Sequence, residues 1–236
     1  MTTARTALVT GASRGIGAAV AMSLGSIGVR VALLARSVDL LDTVAKRSGS
    51  ESFAVQCDVI DDASTDAAID RVRQQFGGPP DIVVNNAGLF TIAALEKTSL
   101  ENFDALVATN LRAPFRLVSA FLPEMRARGS GHFVTIGSVA DRHIFAGNAA
   151  YSATKFGQRA MHEVLRAETR GTGIRATLVS PAAVDTDIWE PIHYLESDAR
   201  PERSGMLDPG SVAAAVMYAV SQPPEVNVDE LRLSRV

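Results

Sequence analysis

The residues Thr6-Ala-Leu-Val-Thr-Gly-Ala-Ser-Arg-Gly-Ile-Gly17 decide how this chain is built. A short apolar run, Thr6–Val9, gives way to glycines at 11, 15 and 17, after which Ile16, Val20, Leu24 and Ile27 recur at helical spacing. The reading is strand, glycine turn, helix. Glycine opens positive φ at such a turn and lets the backbone approach a ligand or a neighbouring strand. The helix start then presents backbone N–H groups that suit a dinucleotide pyrophosphate. The spacing is G-x-x-x-G-x-G rather than the commoner G-x-G-x-x-G, and an ordinary strand–helix turn also uses glycine.

The pattern repeats outward from this turn. Apolar runs at Val29–Leu34, Phe53–Gln56, Ile82–Asn85, His132–Ser138, Ile174–Val179 and Val226–Leu233 predict further strands. Helical stretches fall near 15–27, 39–47, 62–76, 100–127, 151–170 and 211–220. The runs are continuous rather than alternating, as in parallel strands covered on both faces. This order predicts an α/β protein: a single-domain, doubly wound Rossmann fold over 1–236, its seven-stranded parallel sheet flanked by helices. Asp62 or Ser64 is placed to open one helix, and Asp208-Pro209 the last. Asp185–Asp208 lacks a strong period and reads as a substrate lid rather than a linker.

Composition narrows the partners. The 236 residues carry 23 Lys+Arg against 26 Asp+Glu, a net charge of −3, and 47% are hydrophobic. That is a folded domain without the basic footprint that nucleic acid or an anionic membrane requires. The single cysteine, Cys57, excludes an intramolecular disulfide framework and a multi-cysteine metal site, and no metal is expected. No apolar run approaches the roughly 18 residues of a membrane span, and Arg5 is followed by too short an apolar run for a signal peptide. A cytoplasmic location is expected.

The second strand carries information about the cofactor. In such folds its end meets the adenosine ribose, where an acid would accept from a free 2′-hydroxyl. Here the strand ends Leu34-Ala35-Arg36 with no acid. Arg36, with Arg14 in the glycine turn, offers guanidinium forks to a 2′-phosphate, although most arginines are simply surface residues. NADP(H) is therefore expected over NAD(H). Asp58, just past the third strand, can accept from the adenine amino group.

A second constellation carries chemistry. The fifth strand runs into Ser138, and thirteen residues later comes Tyr151-Ser-Ala-Thr-Lys155. On a helix Tyr151 and Lys155 are i,i+4 neighbours. A phenol titrates near pH 10 and is a poor base at neutrality, but an adjacent ammonium stabilises the phenolate. The expectation is a Tyr151 whose pKa is drawn down towards working pH, able to exchange a proton with a carbonyl or hydroxyl oxygen while hydride moves. Taken alone, Tyr and Lys four apart usually mark a solvated helix face.

Together these motifs resemble the short-chain dehydrogenase/reductase family over nearly the whole chain. Thr10–Gly17 is similar to its T-G-x-x-x-G-x-G turn, and Asn85-Asn-Ala-Gly88 resembles its N-N-A-G motif. Asn110, Ser138, Tyr151 and Lys155 fall in the order of its Asn-Ser-Tyr-Lys tetrad. The resemblance implies Tyr151 as general acid/base and Ser138 as holder of the substrate oxygen. It implies Lys155 on the nicotinamide ribose, and a water on Asn110 relaying protons from Lys155 to solvent. Cofactor contacts are implied for Gly11, Ser13, Arg14, Gly15, Ile16, Gly17, Arg36, Asp58, Val59, Asn86, Ala87, Gly88, Tyr151, Lys155, Pro181, Val184 and Thr186. One departure follows the sixth strand, where Ser180-Pro-Ala-Ala places Ala182 at the family's usual glycine, with a tighter nicotinamide pocket as the expected consequence.

The resulting expectation is an NADP(H)-dependent carbonyl reductase or alcohol dehydrogenase acting on a small molecule, assembled as a homodimer or homotetramer by family likeness. A 3-oxoacyl carrier-protein reductase is the runner-up, weakened because the lid holds seven acids against Arg200 and Arg203. A non-catalytic dinucleotide sensor would not need the tetrad, and a methyltransferase would give Tyr151 and Lys155 no task. Trp189, Ile188, Ile192 and Tyr194 in the lid read equally as substrate cover or as pins to the body. His132 and His162 read as structural, while Arg142 and His143 leave an anionic substrate conceivable.

Overall fold

The computed structural model describes residues 5–49, 51–190 and 202–236. Seven strands are present, β1 (Thr6–Thr10), β2 (Arg30–Ala35), β3 (Phe53–Gln56), β4 (Ile82–Asn85), β5 (Gly131–Ile136), β6 (Ile174–Pro181) and β7 (Glu230–Leu233). They form one parallel sheet in the order β3-β2-β1-β4-β5-β6-β7. The helices are α1 (Gly15–Ser26), α2 (Val38–Ser48), α3 (Asp62–Phe76), α4 (Leu100–Val107), α5 (Ala113–Arg128), α6 (Ala149–Glu168) and α7 (Pro209–Ser221). This is the expected doubly wound α/β fold. None of the described helices is long and apolar enough to cross a membrane.

Burial explains why the strands read as unbroken apolar runs. Val9, Val31, Leu33, Val84, Val134 and Val179 pack on one face against Val20 and Leu24 of α1, Leu41 of α2 and Val216 of α7. The alternate residues Leu8, Leu34, Val83 and Phe133 pack on the other against Val72 of α3, Leu117 and Phe121 of α5 and Leu165 of α6. Nearly every residue of β1, β2, β4, β5 and β6 is thus inside on one face or the other, which removes the period-two alternation of a half-exposed sheet.

Four local readings are corrected. β5 ends at Ile136, and Ser138 lies beyond it in extended backbone that opens a 3-10 turn, Val139–Asp141. β7 begins at Glu230, not Val226. The stretch expected as one helix over 100–127 is broken by a π-helical segment, Ala108–Arg112, between α4 and α5; an extra residue per turn leaves no trace in hydrophobic periodicity. Neither Asp62 nor Ser64 caps α3: Asp61 does, its carboxylate accepting from the Ser64 N–H at 2.6 Å. Asp62 instead pairs with Arg116 of α5. Asp208 caps α7 as expected, with Pro209 in the first turn.

The order of the strands positions the site. β1 has β2 on one side and β4 on the other, so connections leave its C-terminal end in opposite directions and open a crevice there. The Thr10 hydroxyl holds the two sides together, accepting from the Asn86 N–H at 3.0 Å and the Ala87 N–H at 2.9 Å.

Candidate active site

The glycine turn is built as a cradle. Gly11 and Gly15 have φ of +63° and +55°, a region that side chains other than glycine rarely adopt. A Cβ on Gly17 would fall 2.3 Å from the Gly11 carbonyl oxygen. The Asn86 amide supports the turn from below, donating to the Thr10 carbonyl at 2.8 Å and to that of Gly11 at 3.3 Å. No side chain caps α1, whose N-cap is Arg14, and its first turn holds no acid. Its leading N–H groups therefore have no side-chain cap and no acid within their own turn, an arrangement that suits a phosphate. Ser13 lies partly exposed on the turn, and Ile16 packs against the core beneath it.

Across the crevice, a Cβ on Gly15 would meet Thr186 Cγ2 at 3.0 Å, so the segment after β6 lies over the glycine turn. Pro181 ends β6, Val184 pairs with Leu207, and Arg14 forms an ion pair with Asp187 at 3.4 Å. Ala182 donates its N–H to the Leu233 carbonyl at 2.8 Å and does not adopt positive φ, so its side chain introduces no backbone strain. Arg36 is exposed at the end of β2. Asp58 accepts from the Ile60 N–H at 3.3 Å, Val59 packs on the core, and Gly88 adjoins Asn110. Of the lid, Ile192 and Tyr194 lie outside the described residues.

Ser138, Tyr151 and Lys155 converge where the end of β5 meets α6. Tyr151 lies in the first turn of α6, with Lys155 one turn on. Lys155 Nζ sits 5.7 Å from the Tyr151 ring centroid and donates to the Ile136 carbonyl and to Gln158 Oε1, both at 3.0 Å. The Ser138 hydroxyl hydrogen-bonds the Tyr151 phenol and accepts from the Ala140 N–H at 3.1 Å. Asn110, fully buried in the π segment, accepts from the Leu89 N–H at 2.8 Å and donates to the Leu89 carbonyl at 2.9 Å. Its other amide hydrogen goes to Thr154 Oγ1 at 3.1 Å, and Thr154 donates to the Tyr151 carbonyl at 2.7 Å. One amide hydrogen of Asn110 thus braces the tyrosine's helical turn and the other the Leu89 segment, and neither goes to Lys155.

The electrostatics reverse one expectation. The Tyr151 phenol is pushed up to about 12, first by burial and then by the charge of Asp141, against the Ser138 hydrogen bond. Burial lowers the Lys155 ammonium to about 8, with Asp141 opposing. The cation lies towards the ring and turns to a carbonyl and an amide oxygen, so its influence does not overcome desolvation of the phenolate. At neutral pH these surroundings favour the protonated form of Tyr151.

Three residues that the sequence reading passed over complete the site. Phe90 packs edge-on against Tyr151, centroids 4.6 Å apart, and against Trp189 at 4.9 Å. Trp189 is pinned by its indole N–H to the Val184 carbonyl at 2.9 Å. Gln158, i+3 from Lys155, was legible in helical spacing; Phe90 and the buried Asp141 had no such signal. Arg142 is engaged by Asp141 at 2.8 Å and Glu230 at 2.5 Å, and His143 Nε2 lies 3.4 Å from an Arg232 nitrogen. Among the described residues no group of three or more His, Cys, Asp or Glu is arranged to hold a metal ion.

A parallel sheet with a glycine cradle on one side of its switch point, and on the other a half-buried Ser138 and Tyr151 beside a buried Lys155, defines an oxidoreductase of the Rossmann class. The chain belongs to the short-chain dehydrogenase family, whose model matches residues 5–195. It is 37% identical over 233 residues to an uncharacterized oxidoreductase of Staphylococcus haemolyticus, covering 98% of this chain and 97% of that one. Among solved structures it is similar to an alcohol dehydrogenase from the archaeon Thermococcus sibiricus complexed with 5-hydroxy-NADP, at 33% identity and TM-score 0.87 over 98% of this chain and 96% of that one. It is equally 33% identical to a metagenomic short-chain oxidoreductase in complex with NADP, at TM-score 0.83 over 98% of each chain.

Proposed function

We propose that this chain is an NADP(H)-dependent carbonyl reductase or alcohol dehydrogenase with Tyr151 as its general acid/base. One observation carries the reading: a half-buried phenol, hydrogen-bonded to Ser138 and one helical turn from Lys155, stands past the end of β5 across from the glycine cradle. The NADP carried by the two solved relatives, and Arg36 at the end of β2, support the phosphorylated dinucleotide. The cradle at Gly11, Gly15 and Gly17 would hold its pyrophosphate and Lys155 its nicotinamide ribose. When bound, the dinucleotide supplies the hydride.

Ser138 orients the substrate oxygen next to the phenol. Tyr151 would give its proton to the substrate oxygen as negative charge develops there during reduction, and solvent would restore the proton to the phenolate. An alkoxide is a far stronger base than a phenolate, since bulk water itself titrates near 15.7. A phenol held at about 12 still donates downhill. The same value makes Tyr151 a scarce base at neutrality, so this charge state suits reduction better than oxidation.

The wall beside the phenol favours an uncharged, apolar carbonyl compound. Phe90 and Trp189 line it. Arg142, the cation that left an anionic substrate conceivable, is consumed by two carboxylates. Arg203 of the lid is likewise engaged by Asp185 at 3.4 Å, which leaves less free positive charge for an acidic carrier protein. Apolar side chains exposed on α4, α5 and α6 support assembly as a homodimer or homotetramer.

The test is a cofactor-oxidation screen over aryl and alkyl ketones, 3-oxo esters and 2-oxo acids, with NADPH and NADH, beside Tyr151→Phe. The substitution should lower kcat by about 100-fold or more, in line with the usual worth of a positioned acid. NADPH should still bind, as read by its fluorescence. Turnover retained by Tyr151→Phe would remove the phenol from the chemistry.

A further inference from the structure

Asp141 is fully buried three residues beyond Ser138, and its carboxylate spans the floor of the site. One oxygen accepts from the Ser180 hydroxyl of β6 at 2.6 Å, the other from Arg142 Nε at 2.8 Å. Arg142 continues to Glu230 of β7 at 2.5 Å. Space for the first contact exists because residue 137 is glycine: a Cβ there would fall 2.8 Å from Ser180 Oγ and 3.3 Å from the Asp141 carboxylate. The chain ends of β5, β6 and β7 are thereby tied through one charged group. We propose that Asp141 is a positioning residue of the active site, clamping the Ser138 turn to the end of β6 and setting a fixed negative charge behind Tyr151 and Lys155.

A buried carboxylate is costly unless its charge is compensated, and its polar contacts here supply that compensation. Its field reaches both titrating groups in the same sense, since a nearby anion disfavours the phenolate and favours the ammonium. The other charged groups around it are Arg142 on its own turn, Glu230 of β7 beyond Arg142, and the rim pair His143 and Arg232. Asp141 acts not on cofactor or substrate directly but through Ser138, Tyr151 and Lys155.

The inference rests on the assignment of Tyr151 above, so the experiment reads the phenol both with and without turnover. In the full-length protein, Asp141→Asn should move the alkaline limb of ketone reduction down by about one pH unit, the low end of a neighbouring-charge effect. Ionisation of Tyr151, followed by NMR of ring-labelled tyrosine with Tyr151→Phe for assignment, should begin at correspondingly lower pH. Ser180→Ala weakens the clamp but keeps the charge, so KM should change while the limb stays. Arg142→Gln leaves the carboxylates uncompensated and should move the limb upward, a test that survives if Asp141→Asn does not fold. A shifted tyrosine ionisation without ketone turnover would keep this inference and sink the reductase reading. An unmoved limb and ionisation in Asp141→Asn, or an unmoved or downward-moving limb in Arg142→Gln, would overturn it.

Discussion

Tyr151 shows how one side chain can be legible in identity and illegible in state. Its spacing to Ser138 and Lys155 marks it out, because four residues on a helix bring two side chains together whatever surrounds them. Its proton affinity follows from desolvation, to which the packed Phe90 contributes, and from the charge of Asp141, and both reach it from outside its own helix. Arg36 is the complementary case: exposed at the end of β2, it is available to a ligand and to nothing described in the protein. If it reads a 2′-phosphate, Arg36→Ala should weaken NADPH about tenfold or more, the worth of a hydrogen bond to a charged group, while NADH binding changes little. Titration calorimetry with both dinucleotides decides this; equal losses would assign Arg36 to the surface.

At the scale of elements, the helices were readable where periodicity was unbroken and misread where it was not. The π segment Ala108–Arg112 inserts its extra residue where Asn110 must reach both Leu89 and Thr154, so the irregularity serves the site rather than the helix. Hydrophobic spacing averages over such an insertion and therefore reports one long helix. The same elements expose apolar side chains that pay no evident role within the chain: Leu100 is 76% exposed on α4, Phe115 58% on α5 and Val164 55% on α6. Burial of such groups against a second copy is the expected use of these faces. Light scattering should return a dimer or tetramer mass, and Phe115→Glu should lower it; a monomeric wild type at micromolar concentration would leave the faces unassigned.

For the whole molecule, the fold sets a lower pH limit. His132 of β5 and His162 of α6 are both buried, and burial holds them at about 3 and about 4, well below the ordinary imidazole value. Both are neutral in the folded and unfolded states above pH 6.5, so their contribution is constant there. Below that value the unfolded chain takes up protons that the native state refuses, and stability falls with pH until the folded values are reached. At pH 5 each histidine lowers stability by about 2 kcal/mol relative to pH 7.5, at 1.36 kcal/mol per unit. Denaturant unfolding at the two pH values should show the loss, and His162→Gln should reduce it; equal stability at both would contradict the burial.

Alternation of apolar runs with helical spacing, and the glycines at 11, 15 and 17, were enough to determine the sheet, its parallel sense and the edge at which ligands lie, because these depend on neighbours along the chain. The Tyr151–Lys155 spacing was legible for the same reason, whereas Asn110 entered only through the resemblance to the family. Only the tertiary structure decided that Tyr151 keeps its proton, that Arg142 is spent on Asp141 and Glu230, and that Phe90 and Trp189 close the wall. Those outcomes depend on which distant segments exclude water from a group and which charges they bring to it, and no local pattern encodes either.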